Sequence, residues 1–398
     1  MNNTLLAPAI QGCLSGSSMI RRMFEAGIEL KKKYGADKVY DFSLGNPDLP
    51  PPRAVQQALR QIAEESNRPL ALGYMPNAGY PSTREALARL VTREQGIDFP
   101  ASHVVVTVGA AGGLNAFFRA VLTIGDEVLV PSPYFVEYGF YCGNYGGKLV
   151  PVPTNPADFS LDLDAIRAAI TPKTRAIIIN TPNNPTGQIY PEADLRALAQ
   201  ILDEASKKNG RIIYLVSDEP YRALNYESAP IPSIFSACRN AVVIGSFSKT
   251  LSLPGERIGY VAVNPAIEDA QTLVSGIIFT NRTLGYVNAP AIGQKIIEAA
   301  IDARVDVDIY HRRRDALAKI LSDAGIEFFL PKGAFYIFAK SPVPDEKVFV
   351  QALLDEQILV VPGSGFGLGG HVRLAFCVED SVIENSAESF RRAMTKFR

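Results

Sequence analysis

Short apolar runs recur through the first two thirds of the chain: HVVVTV (103–108), DEVLV (126–130), KLVPV (148–152), RAIIIN (175–180), RIIYLVS (211–217) and AVVIGS (241–246). They lack the in–out alternation of a half-exposed strand, so each predicts a strand buried on both faces. Between several of them, amphipathic stretches predict helices over 112–122, 162–170 and 191–208, after two earlier ones at 53–66 and 81–95. Strands alternating with helices predict a mostly parallel sheet covered on both sides. GYVAV (259–263) comes after the last run by too short a link for a helical crossover, so it is expected to be an antiparallel neighbour.

The two ends of the chain read differently. Residues 17–34 predict an amphipathic helix capped by Ser17 or Ser18, with Met19, Met23, Ile28 and Leu30 on its apolar face. Basic residues fill its last turn and Gly35 stops it. VYDFSLGNPDLPPP (39–52) predicts a short strand running into a Gly/Pro-rich loop. Residues 289–323 read as one long helical connector, ending at Gly325. Beyond it, strands are expected at 327–339, 358–361 and 371–377, and helices at 345–355 and 380–397. The expected architecture is α/β: a large domain over 46–288 with a seven-stranded, mostly parallel sheet between helices, and a smaller α+β domain from 1–45 and 289–398.

Composition narrows the function classes. Of the 398 residues, 47% are hydrophobic and 20% charged, with a net charge of −1 and scattered Lys and Arg, so no footprint for nucleic acid appears. The apolar runs fall short of the about 18 residues that span a bilayer. The start, MNNTLLAPAIQG, lacks the basic and apolar regions of a signal peptide, so a cytoplasmic protein is expected. Cys13, Cys142, Cys238 and Cys377 are far apart, as are His103, His311 and His371. Neither a disulfide framework nor a protein metal centre is expected.

In an open parallel sheet, ligands bind beyond the carboxyl ends of the strands. The segment just after each run is therefore where a site is expected. After 103–108 comes GAAGG (109–113), small residues opening a helix, a seat for phosphate. After 126–130, PSPYF brings Tyr134 and Phe135 to the mouth; after RAIIIN, the rigid TPNNPTG (181–187) presents Asn184. The run 211–217 ends in Asp218, with Tyr221 three residues on, and 241–246 leads into Lys249 between Ser246 and Ser248, with Arg257 beyond a turn. Taken singly, GAAGG is a tight turn, Asp218 a helix cap, Phe135 a core residue, Asn184 an Asx-turn and Lys249 an exposed charge. All five at one edge of one sheet favour the joint reading: an amine that forms a Schiff base with an aldehyde whose phosphate is held nearby.

The series NNPTG (183–187), SDEPY (217–221), SFSK (246–249), GERIGY (255–260) and VRL (372–374) resembles the class I aminotransferases, pyridoxal-phosphate enzymes of the aspartate-aminotransferase fold, along essentially the whole chain. The resemblance implies that Lys249 holds pyridoxal 5'-phosphate and shuttles the substrate α-proton, and that Asp218 pairs with the pyridine nitrogen. It implies hydrogen bonds from Tyr221 and Asn184 to the ring oxygen, stacking by Phe135, and phosphate binding by Ser246, Ser248, Arg257 and the amides of Ala110 and Ala111. Arg373 resembles the family's fork for the substrate α-carboxylate, with Gly45 and Asn184 completing that pocket. Tyr74 matches the tyrosine that reaches the phosphate of a neighbouring subunit, which implies a homodimer with shared sites.

Three positions depart from the pattern: Ala110 and Ala111 stand where relatives often carry hydroxyls, and Phe135 where many carry Trp. Arg282 lies near an Arg of dicarboxylate-specific relatives, and equally suits a surface or interface ion pair. The expected activity is ping-pong transamination between an α-amino acid and a 2-oxo acid, of aspartate/glutamate type if Arg282 reads a distal carboxylate. The alternative on the same fold is a carbon–sulfur β-lyase or a related synthase or decarboxylase. A non-enzymatic effector-binding domain would need an N-terminal winged helix, for which about 45 residues leave no room. A dehydrogenase would need a G-x-G-x-x-G, which is lacking.

Overall fold

The computed structural model describes residues 5–7, 10–11 and 19–397. The cap expected at Ser17 or Ser18 and the thiol of Cys13 lie outside the described residues, as do the side chains of Met19 and Met23. The chain divides into two compact units, one of 1–46, 312–330 and 335–398, the other of 47–311 and 331–334. Residues 289–311 thus group with the larger unit, whereas the sequence pattern assigns them to the smaller domain.

Strand β1 (Tyr40–Asp41) belongs to the smaller unit. The larger unit holds β2 (Val104–Thr107), β3 (Glu127–Ser132), β4 (Lys148–Pro153), β5 (Thr174–Asn180), β6 (Tyr214–Asp218), β7 (Ala241–Ser246) and β8 (Gly259–Val263). These form one sheet in the order β2-β8-β7-β6-β5-β3-β4, parallel except for β8, which runs antiparallel to both neighbours. The seven-stranded sheet and the reversed GYVAV strand are as expected. The double-sided burial obeys the strand period of two. Ile177, Ile179, Leu215 and Val243 enter one apolar core, and Ala176, Ile178, Val216 and Val242 the other. Each such Val, Ile or Leu contributes roughly 1.5–3 kcal/mol of burial.

Three elements differ from expectation in this unit. RIIYLVS does not begin its strand at Arg211. The Ser206 carbonyl accepts from the Arg211 amide and the Ser206 hydroxyl from the Ile213 amide, so these residues cap the helix Glu192–Asn209. The Arg211 guanidinium instead makes a bidentate pair with Asp126 at 2.7 and 2.9 Å. The 289–323 tract is two helices, Ala291–Ala300 and Val307–Ala324. Between them the Val305 amide bonds to Thr250 O, outside the helical ladder, and the Asp306 carboxylate accepts from the Asp308 amide at the start of the second helix. Finally, the helix Ala270–Asn281, unassigned in sequence, packs against the helix Gly109–Val121 through Val274 and Ile277. Its polar residues do not gather on one face, since Gln271, Thr272 and Ser275 are exposed and Thr280 and Asn281 buried, so it carries little amphipathic signal.

The smaller unit holds β9 (Tyr336–Lys340), β10 (Ile358–Leu359), β11 (Val361–Pro362) and β12 (His371–Ala375). β12 lies between β11 and β9, antiparallel to both, and β1 pairs parallel with β10. The stretch expected as one strand over 327–339 is extended only in its last part, with a single bridge from Phe328 to Ala339. The helix expected over 380–397 is broken at Ser386 into Asp380–Asn385 and Ala387–Met394. In the helix Met19–Tyr34, Leu30 is half-buried but Ile28, expected on the apolar face, is exposed, while Gly27 is buried and Lys31 pairs with Asp41 at 2.8 Å. Among the described residues no helix is long and apolar enough to cross a membrane.

Candidate active site

Strand register collects the sequence candidates. Asn180 pairs with Asp218 across β5 and β6, Asp218 with Ile244 across β6 and β7, and Gly259 with both Ser246 and Thr107. The carboxyl ends of β2, β5, β6 and β7 therefore lie in one row, and the segments carrying Ala110, Asn184, Tyr221 and Lys249 leave from it.

Asp218 is the chemical centre of that row. Its Oδ2 accepts a 2.6 Å hydrogen bond from the Tyr138 hydroxyl, whereas Oδ1 is buried with no donor. Burial pushes its carboxyl up to about 7; the Tyr138 bond opposes this and the neighbouring Glu219 adds to it. The strand period turns Glu219 the opposite way. Its carboxylate accepts from Ser217 Oγ at 2.7 Å, Gln95 Nε2 at 3.1 Å and Arg222 Nη1 at 3.0 Å. Arg222 in turn donates to the carbonyls of Glu94 and Ile231. This buried bracket clamps residues 217–222 and so fixes where Asp218 and Tyr221 stand.

Other cofactor candidates stand on the segments that leave the same row. Lys249 sits on a turn after β7, and its Nζ lies 6.0 Å from the centroid of the buried Tyr221 ring. Ser246 and Ser248 are buried beside it in sequence. Asn184 is buried, and its amide bonds to Asn180 Oδ1 at 2.6 Å, while Asn180 Nδ2 reaches Asp218 O at 2.8 Å. The helix Gly109–Val121 starts within the GAAGG run, so Ala110 and Ala111 lie in its first turn, where backbone N–H groups lack intrahelical acceptors. Gly109 has φ +67°, and a Cβ there would lie 2.9 Å from Arg257 Nη2. Bare backbone and guanidinium together make a cradle for an anion.

In the smaller unit, Arg373 is only 3% exposed. Its guanidinium sits 4.5 Å from the Tyr336 ring and 4.6 Å from the Phe366 ring, and Nη2 donates to Ser43 O at 2.7 Å. A Cβ on Gly45 would lie 2.0 Å from the Tyr336 hydroxyl, so no side chain fits there. Two further candidates are exposed: Tyr74, at 93%, and Arg282, whose guanidinium lies 5.3 Å from the Phe279 ring.

Sequence reasoning missed Tyr138, the Gln95–Glu219–Arg222 bracket and Tyr336. For Tyr138 a signal existed: it stands three residues after Phe135, a one-turn spacing. The two rings meet edge to face at 5.6 Å. No local pattern marks the others.

The profile of the family "Aminotransferase class I and II" matches residues 37–390. The chain belongs to that family. It is 36% identical to the probable aspartate/prephenate aminotransferase of Thermus aquaticus, over 92% of this chain and 94% of that one. The aspartate/prephenate aminotransferase of Thermus thermophilus is likewise 36% identical, with 92% and 93% covered. Among solved structures, an amino transferase from Eubacterium rectale superposes with a TM-score of 0.96 at 36% identity, covering all of both chains. The aspartate aminotransferase of Thermus thermophilus with maleate gives 0.87 at 31% identity, covering 98% and 100%. This aminotransferase therefore has the fold that its sequence motifs imply.

Proposed function

We propose that this aminotransferase uses pyridoxal 5'-phosphate to move an amino group from an α-amino acid to a 2-oxo acid, with acidic amino acids as preferred donors. The observation that carries the cofactor assignment is the buried Oδ1 of Asp218, an acceptor without a donor. A protonated ring nitrogen supplies that donor and a compensating charge. The Gly109–Arg257 cradle suits the phosphate, with the amides of Ala110 and Ala111 and the hydroxyls of Ser246 and Ser248 as further donors. When bound, the cofactor supplies an aldehyde for the amine and an electron-withdrawing ring.

Lys249 Nζ is the proton carrier: as a free amine it takes the substrate α-proton and returns it. Tyr221 and Asn184 would donate to the ring oxygen, and Phe135 would stack on the ring. Arg373, with the rings of Tyr336 and Phe366 within 4.6 Å of its guanidinium, would receive the α-carboxylate; Gly45 and Asn184 are the further candidates for that role. The protein works as a homodimer in which Tyr74 serves the partner's phosphate; its 93% exposure and the 89% exposure of nearby Leu70 support this. The preference for acidic substrates is supported by the names of the Thermus relatives.

The test is a panel of amino acids added to the protein loaded with pyridoxal phosphate, tracking replacement of the cofactor's visible absorbance by that of its aminated form. Aspartate and glutamate should convert it fastest. If no amino acid does, transamination is wrong; if apolar ones are faster, the acidic preference is wrong. Arg282→Ala should selectively slow acidic donors, and an equal loss for all donors removes that role.

A further inference from the structure

We propose that Tyr138 is a positioning residue that favours the ionised form of Asp218 and occupies its Oδ2, leaving the buried Oδ1 for the ring nitrogen of the cofactor. The inference rests on the cofactor reading above, but its geometry is independent of it. Asp218 is 5% exposed and Tyr138 1%. The carboxylate has one hydrogen-bond donor among the described residues, the Tyr138 hydroxyl at 2.6 Å. The Asn180 amide and the Thr181 N–H reach its backbone carbonyl instead.

A single short bond from a neutral phenol does two things to a buried carboxylate. It favours the ionised form, because the acceptor oxygen is stronger when charged. It also fixes rotation about Cβ–Cγ, since occupying Oδ2 leaves only Oδ1 for an incoming donor. The phenol cannot compete by ionising: burial and the adjacent Asp218 charge hold its own pKa far above neutrality, so it remains the donor. Tyr138 is itself held by the edge-to-face contact of its ring with Phe135. One turn of chain thus links Phe135, the candidate for stacking on the cofactor, to the phenol that holds Asp218.

The experiment compares wild type with Tyr138→Phe, which keeps the ring and its contact with Phe135 and removes only the hydroxyl. In the cofactor-free protein, the Asp218 carboxyl is monitored by carbon-13 NMR of labelled aspartate, assigned with Asp218→Asn. Loss of a charge-assisted bond should raise its titration midpoint by about one to two pH units. In parallel, affinity for pyridoxal phosphate near neutral pH should fall about ten-fold or more. The same substitution made in an Asp218→Asn background should change that affinity little, because the phenol then serves an amide that carries no charge for the ring nitrogen. An unmoved carboxyl titration, or full additivity of the two substitutions, overturns the proposal. Failure of wild type to bind pyridoxal phosphate would instead count against the cofactor reading, since the titration needs no cofactor.

Discussion

Replacing Asp218 with Asn should flatten the pH dependence of folding of the cofactor-free protein. Burial raises this carboxyl from 3.8 to about 7, roughly three pH units, so the folded state holds its proton where the unfolded chain has released it. At about 1.4 kcal/mol per unit this amounts to about 4 kcal/mol. Below about pH 4 both states are protonated and the full contribution to stability is present. As pH rises towards 7 the unfolded chain is favoured, and above that the contribution is gone. Asn is isosteric and can still accept from Tyr138, but its amide lacks an acceptor where Oδ1 stood, a pH-independent cost of about 1–3 kcal/mol. The difference in unfolding free energy, variant minus wild type, should therefore grow by several kcal/mol from acid to mildly alkaline solution. Chemical denaturation of both cofactor-free proteins across that range measures it. Parallel curves would refute the claim that Asp218 is a strained buried acid awaiting a cation. Pyridoxal phosphate should stabilise wild type far more than the variant.

Other substitutions test the remaining contacts. Gly109→Ala places a Cβ at φ +67° and 2.9 Å from Arg257; it should cost about 1–2 kcal/mol of stability and weaken binding of pyridoxal phosphate, and unchanged affinity would remove Gly109 from the phosphate cradle. Gly45→Ala drives a methyl into the Tyr336 hydroxyl, with an expected loss of about 1–3 kcal/mol in denaturation experiments. Wild-type stability there would mean that the approach relaxes freely. Arg373→Lys keeps the charge but loses the guanidinium that lies within 4.6 Å of the Tyr336 and Phe366 rings. KM for the amino donor should rise about ten-fold or more, and an unchanged KM would show that the carboxylate binds elsewhere.

Much of the fold was legible because its signals are local. A Val- and Ile-rich run without alternation specifies a strand covered on both faces, wherever its neighbours lie. Once the strands run parallel, their carboxyl ends share an edge. The segments that carry Asp218, Asn184, Lys249 and the GAAGG run are therefore expected to leave one row, and the register aligns the strand ends Thr107, Asn180, Asp218 and Ser246 that lead into them. Where local signals compete, pattern alone misleads. Arg211 looks like the start of a strand but serves the cap of the preceding helix and the Asp126 pair, because a buried carboxylate and an open helix end both need a donor.

Tertiary structure alone decided the contacts that set the chemistry. Tyr138 and Asp218 are 80 positions apart, and Arg373 and Ser43 are 330 apart. Periodicity says that a side chain is buried, but not which group it meets. The amino-acid sequence by itself determined the parallel sheet, the edge where the site lies and the residues that could hold a cofactor. Packing determined that one Asp218 oxygen is satisfied and the other left open, and that an aromatic pair holds Arg373. Those outcomes depend on distances of a few ångströms between segments remote along the chain, which side-chain chemistry can exploit but local pattern cannot encode.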